Sequence, residues 1–280
     1  MTTKTPIQSL VIIALDTAEP RDYAIELAGQ LGPAETPELL GLFVESTELL
    51  EHASSRLARE ILLTGSERAF DRSTLERQLR AQAARARAHF EAASTRLGLR
   101  HRFEVARGDI LLEPFRRAAG AQALVVSLAR ILGDAMSPAR LLQQLLEAGP
   151  PVVLLAREGW LRGQSIAVVV DDSAEENVVL DAAARVARHT GSPLAVLLRV
   201  SDSSDRERLA RRIEEALRTR GINKSNIMLL GETAQLGISQ AARACRARLL
   251  VLPAPSRIEE TGMMEALLHR FSGALLLVRP

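Results

Sequence analysis

The sequence predicts an α/β protein made of two tandem doubly wound domains, each a five-stranded parallel sheet with helices on both faces. Three observations carry that prediction. Short unbroken apolar runs recur, among them Leu10–Leu15 and Ile166–Val170, and such runs read as strands buried on both faces. Each of these two runs ends in a carboxylate, Asp16 or Asp171, followed by a helix-start signal. Ser173 with Glu176 three residues on has the spacing of a capping box, and Pro20 suits a first helical turn. Finally, the order of elements repeats. Asp16 and Asp171 lie 155 residues apart and Gly108 and Gly231 lie 123 apart, so the first copy carries about 32 extra residues.

In the first copy the predicted order is a strand over Ser9–Leu15, a helix from Pro20 to about Leu31 and a strand over Leu39–Val44. The extra residues form a predicted helical excursion from Leu49 to about Leu97. Its second part has one apolar stripe, Leu75, Leu79, Ala83, Ala86, Phe90, Ala93 and Leu97, at steps of three or four. Arg77, Arg80, Arg85 and Arg87 fall off that stripe and read as a solvated face. Leu49, Leu50, Leu57, Ile61, Leu62 and Leu63 allow packing back onto the sheet, a pocket or a partner groove. A third strand over His101–Val105, a turn at Gly108-Asp109 and a helix over Ile110–Ala119 follow. Ala123–Ser127 is the fourth strand, Ser137-Pro138 opens a helix that Gly149-Pro150 closes, and Val152–Ala156 is the fifth strand.

Arg157–Gln164, with Trp160, reads as a linker, which divides the chain into residues 1–157, with an insertion at about 45–98, and residues 158–280. The second copy is plainer. Helices are predicted over Glu176–His189, Asp205–Thr219, Ala234–Cys245 and Gly262–Phe271, and strands over Pro193–Val200, Ile227–Leu230, Leu249–Leu252 and Ala274–Val278.

Composition narrows the function classes. Net charge is +2, from 36 basic and 34 acidic residues, and aromatic content is 3%, which argues against a nucleic-acid surface. No apolar run approaches the roughly 18 residues of a membrane span, and the first residues lack a signal-peptide core. With a single cysteine, Cys245, no intrachain disulfide forms. A cytoplasmic protein is the expectation. The histidines form no HxxxH pair and none adjoins Cys245, so neither a metal nor an activated thiol is expected. The chain has no GxSxG, Walker or GxGxxG motif, and Arg107-Gly108-Asp109 is a chance match to an adhesion tripeptide. Asp16 and Asp171 remain. In open α/β sheets ligands bind beyond the carboxyl ends of the strands, where a carboxylate bonds a ribose hydroxyl or an adenine amino group. A turn or helix-cap aspartate is the other reading of each.

At this point the pattern resembles a tandem universal stress protein, two copies of that family's flavodoxin-like (Rossmann-like) domain. Ala14-Leu15-Asp16 and Val170-Asp171-Asp172-Ser173 match its strand-one aspartate. Phe43-Val44 and Arg199-Val200 stand where the family often has His-Val, Gly108 and Gly231 follow strand three, and Ala123–Val126 and Leu249–Leu252 match strand four. Pro151–Leu155 and Ala274–Val278 match strand five, whose edges often make the family's dimer. The resemblance implies candidate nucleotide-site residues Asp16, Val44 and Ser127 in the first copy and Asp171, Val200 and Pro253 in the second. It also implies pairing of the two domains within the chain, and a homodimer or an unidentified protein or small-molecule ligand as further partners.

The departures from the family matter most for function. Its ATP-binding members have glycines after strand four and a Gly-Ser or Gly-Thr at the next helix start, whose N–H groups hold the phosphates. Here those positions fall near Leu128, Ile131 and Pro138-Ala139, and near Pro253, Ser256 and Glu260-Thr261. Bulky side chains block the backbone's approach, and proline lacks the N–H. Glu259 and Glu260 bring like charges against a triphosphate at about 1 kcal/mol or more each. The expectation is a non-enzymatic stress-response protein with degenerate nucleotide sites and no cofactor. The alternative is a module that still holds AMP or ATP through the strand-one aspartates. An enzyme of the wider adenine-nucleotide α-hydrolase superfamily lacks its signature loops.

Overall fold

In a computed structural model the chain is described at residues 10–15, 22–31, 37–53, 59–61, 67–69, 72–127, 138–156, 165–171, 176–199, 206–223, 225–230, 234–255 and 261–279. The first half runs β1 (Leu10–Leu15), α1 (Asp22–Leu31), β2 (Glu38–Ser46), α2 (Thr47–Ala53), β3 (Arg59–Ile61), β4 (Glu67–Ala69), α3 (Arg72–Arg96), β5 (Arg100–Gly108), α4 (Leu112–Arg117), β6 (Ala123–Ser127), α5 (Pro138–Ala148) and β7 (Val152–Ala156). The second runs β8 (Ser165–Val170), α6 (Glu176–Thr190), β9 (Leu194–Arg199), α7 (Arg206–Thr219), β10 (Ser225–Leu230), α8 (Ala234–Ala244), β11 (Ala247–Pro253), α9 (Thr261–Arg270) and β12 (Ala274–Val278).

Ten strands form one sheet in the order β10-β9-β8-β11-β12-β7-β6-β1-β2-β5. Within each half the strands are parallel and follow the order third, second, first, fourth, fifth. The reversal of strand order lies between β1 and β6 in one half and between β8 and β11 in the other. The halves meet antiparallel through their fifth strands, with Leu275 opposite Leu155 and Val278 opposite Val152. The strand-five pairing expected within the chain is therefore present.

Two apolar layers cover the sheet. Alternation along β1 sends Val11, Ile13 and Leu15 to one face and Leu10, Ile12 and Ala14 to the other. The first face packs under α1, α3, α6 and α7, through Ile25, Phe90, Leu180 and Ile213 among others. The second packs under α4, α5, α8 and α9, through Phe115, Leu141, Ile238 and Leu267. Each layer is continuous across the β7–β12 seam. Helices also meet across it, α1 with α6 and α5 with α9. Arg279 reinforces the join: its guanidinium donates to Gly149 O at 3.1 Å and to Leu145 O, and its N–H donates to Pro151 O at 2.7 Å. A side chain beyond the last strand of one half thus caps a helix of the other.

The insertion is where the expected architecture needs correction. It is not wholly helical: β3 and β4 form a two-stranded antiparallel ribbon between α2 and α3. The segments Arg59-Glu60-Ile61 and Glu67-Arg68-Ala69 are short and charged, without the alternation that marks a strand. Leu50 and Ala53 of α2 pack on Leu75 and Leu79 of α3, so this part of the apolar content packs internally. Leu49 is exposed, and the side chains at 57 and 61–63 lie outside the described residues. The α3 stripe is buried from Leu75 to Ala93, joined by Ser94, while Leu97 is exposed. Other boundaries shift modestly. β2 and β5 extend beyond the predicted runs to Ser46 and Gly108, and α4 is confined to Leu112–Arg117. Ser173 and Trp160 lie outside the described residues.

Two positions test the packing. Gly41 of β2 lies under the ring of Phe90, where an added Cβ would stand 2.8 Å from Phe90 Cδ1. We expect Gly41→Val to destabilise the fold by about 1–3 kcal/mol through this overlap, read from the urea midpoint. Glycines with positive φ follow α3, α4, α6 and α7, at Gly98, Gly120, Gly191 and Gly221, whereas α8 exits through Arg246 at φ 54°. Arg246→Gly should therefore raise stability by about 0.5–1 kcal/mol, the relief of the Cβ clash being partly offset by the entropy of glycine in the unfolded chain. An unchanged or lower urea midpoint would contradict this.

Candidate functional site

The strand-order reversals create a crevice at the carboxyl ends of the strands in each half, the place where sheets of this kind hold ligands. In the second half β8 delivers Asp171 to this mouth, β9 ends in Arg199, and Pro253 closes β11. Parallel pairing sets Val170 level with Leu198, which brings the next residues, Asp171 and Arg199, together. Arg199 Nη2 donates to Asp171 Oδ2 at 2.5 Å. Both side chains are partly exposed, at 27% for Asp171 and 40% for Arg199. An exposed pair of this kind adds about 0–1 kcal/mol to stability. Its chemical effect is larger, because the carboxylate that would bond a ribose hydroxyl already accepts from a guanidinium.

The first-half mouth is built differently. Asp16 lies outside the described residues. Val44 is buried against the second layer, and Ser127 is half-buried at the end of β6. Among the described residues this mouth carries two ion pairs on the strand-three side. Glu45, 6% exposed, accepts from Arg107 Nε at 2.7 Å, the two residues being level on β2 and β5. The hydrogen bond to Glu45 and its charge raise the Arg107 pKa above the usual arginine value, with a further contribution from Glu76 of α3. Asp109 spans the next turn. Its Oδ1 accepts from the N–H groups of Leu111 at 2.8 Å and Leu112 at 3.0 Å, and its Oδ2 accepts from Arg140 Nη2 at 2.7 Å. Partial burial pushes the Asp109 carboxyl up, but the two N–H groups and the guanidinium outweigh it and hold the pKa below the ordinary value.

Arg140 stands in the first turn of α5, the helix whose start would receive phosphates, and that helix opens with Pro138. Proline supplies no N–H there, and the guanidinium already has an anion in Asp109.

By register the β9 residue level with Val44 is Arg199, and Val200 follows it outside the described residues. The second mouth thus carries a cation where the first has Val44. Sequence reasoning assigned no ion pair to Arg140, Arg199 or Arg107. The partners are 31, 28 and 62 residues apart, so only the strand register brings them together. Cys245, predicted to continue the α8 stripe, sits in the turn just after that helix, half-buried against the second layer. Burial raises its thiol pKa, as expected of an unreactive cysteine. Among the described residues no cluster of His, Cys, Asp and Glu is fit to hold a metal ion, and no helix is long and apolar enough to cross a membrane.

The depressed Asp109 pKa makes a stability prediction with a defined sign. A carboxyl with a lowered folded-state pKa contributes stability above its unfolded pKa of about 3.9, and loses it as pH falls through the folded value. Asp109→Asn should therefore be less stable than the parent near neutrality, with the gap closing in the acid range below about pH 4. Urea midpoints of the two proteins across pH check this, and a gap independent of pH would refute it.

No family model matches the chain, and no curated protein matches it in sequence. Solved structures do match in fold. A universal stress protein from Archaeoglobus fulgidus DSM 4304 superposes with a TM-score of 0.66 at 14% identity, covering 98% of this chain and 97% of its own. A functionally unknown protein from Pseudomonas aeruginosa PAO1 gives 0.55 at 17% identity, over 98% and 93%. The cytoplasmic domain of a prokaryotic cation chloride cotransporter gives 0.55 at 11% identity, over 96% and 93%. The chain has the universal stress protein fold, carried twice in tandem on one continuous sheet.

Proposed function

We propose that the chain is a cytoplasmic stress-response protein without catalytic activity, whose nucleotide sites are closed by internal ion pairs. Its units are residues 1–157, carrying the insertion at about 45–98, and residues 158–280. The observation that carries the reading is the Asp171–Arg199 bond at 2.5 Å. For adenosine to use Asp171 Oδ2, a neutral ribose hydroxyl has to displace a charged donor. The hydroxyl supplies a hydrogen bond to the carboxylate but no compensating positive charge, so the exchange gives up the ion pairing with Arg199. The Asp109–Arg140 pair and Pro138 act in the same direction at the other mouth.

Heat-denaturing the purified protein should release no adenine nucleotide, and calorimetric titration with ATP or AMP should give no binding heat. Stoichiometric release of ATP, or ATP binding in the micromolar range, would overturn the closed-site reading. Binding of AMP alone, lost in Asp171→Ala or Asp16→Ala proteins that fold normally, would favour the alternative that the strand-one aspartates retain an adenine nucleotide. ATP hydrolysis abolished by either substitution would instead restore an enzyme.

A further inference from the structure

The two ends of the ten-stranded sheet are protected very differently. At one end β5 carries Arg100, Arg102, Glu104 and Arg107. Arg102 pairs with Glu38 at 3.2 Å, Glu104 with Arg117 at 2.6 Å and Arg107 with Glu45 at 2.7 Å. The 25-residue α3 lies over this strand, with Arg87 stacked 4.9 Å from the Phe103 ring. Charges on an edge strand are the usual defence against pairing with another chain. At the other end β10 reads Ser-Asn-Ile-Met-Leu-Leu and carries no charge. Leu229 is 52% exposed, and Ile227 and Met228 are only partly covered.

Within this molecule, strands of that character are the ones that join edge to edge. β7, Val-Val-Leu-Leu-Ala, and β12, Ala-Leu-Leu-Leu-Val, are equally free of charge and pair antiparallel at the seam. The helix beside β10 adds a charge pattern. Leu209, Ile213 and Leu217 of α7 are buried on the sheet, and Arg212 reaches Glu176 of α6 on the inner flank. At about 100° per residue, Glu207, Arg211, Glu214 and Arg218 then fall on the opposite flank, toward the sheet edge. All four are exposed. Their order is acid, base, acid, base at steps of four, three and four. Reversed by a twofold axis, the row is complementary to itself: Glu207 faces Arg218 of a second copy, and Arg211 faces its Glu214.

We infer that the β10 edge with the outer flank of α7 is a self-association surface, on which a second copy of this chain pairs β10 to β10 antiparallel. A twofold at Met228 sets Ile227 of one copy beside Leu229 of the other on the α7 side of the sheet. The strand pair adds main-chain hydrogen bonds and removes Leu229 from water, while the α7 rows fix the direction. This surface is separate from both crevices, so it holds whether or not nucleotide binds.

Sedimentation equilibrium of the full chain tests it. The parent protein is expected at twice its 30.5 kDa mass. Leu229→Lys, at an exposed position, should raise the dimer dissociation constant by about tenfold or more while leaving the circular dichroism unchanged. Glu214→Arg should weaken the dimer by setting arginine against Arg211 of the other copy, and Arg211→Glu combined with Glu214→Arg should restore it. A parent protein that is monomeric at every concentration overturns the inference and leaves the edge to an extended segment of another protein. A dimer indifferent to Leu229→Lys overturns it in favour of a different surface. A charge swap that fails to rescue removes the twofold arrangement.

Discussion

Backbone groups at the edge of a sheet must find partners, and the way the fifth strands meet that requirement organises the whole molecule. β7 and β12 are apolar on both faces and lie between helices above and below. Left as edges, each would hold a row of unpaired N–H and C=O groups beside exposed leucine and valine, a combination that costs stability and invites aggregation. Pairing them antiparallel satisfies both rows and merges two five-stranded sheets into one. Both apolar layers then run unbroken across the join. Arg279 adds charge-assisted bonds from beyond β12 to the end of α5.

That join also settles which surfaces remain for function. The two crevices open at the carboxyl ends of parallel strands, each two strands from the seam, and each is shaped by its own charges. In the second half an arginine answers the strand-one aspartate. In the first, Asp109 is held by the N–H groups of Leu111 and Leu112 and pairs with Arg140 in the first turn of α5. The two copies thus place carboxylate–guanidinium pairs at their mouths by different routes, one between adjacent strands and one from a turn to a helix start. The fold is common to proteins of different roles, so these charges, more than the fold, carry the functional reading.

Most of the fold was legible because buried parallel strands announce themselves. Leu10–Leu15, Val152–Ala156 and Ala274–Val278 are solid apolar runs that no other element suits. The α3 stripe was legible for the corresponding reason at helical spacing. The β3–β4 ribbon was not, because Arg59–Ile61 and Glu67–Ala69 lack any apolar alternation and owe their form to pairing with each other. At the crevices, Asp171 was legible from its place after a strand. Arg199 was not singled out, because its role depends on β8 and β9 lying in a register that puts residues 28 positions apart side by side. The sites differ from expectation where parallel register, invisible to local periodicity, decides which charges meet.

The seam has a consequence for synthesis. β7 is made before any of the second half, and its partner β12 is the last strand of that half. At about 5–20 residues per second, the edge of β7 waits on the order of ten seconds for its partner. During that interval a neighbouring nascent chain presents an identical waiting edge, and a finished β12 from one chain fits the β7 of another as well as its own. Tandem linkage counters this by keeping the correct strand at high local concentration. Separate expression of the two halves would remove that advantage, leaving recognition between two apolar edges to compete with exchange between copies.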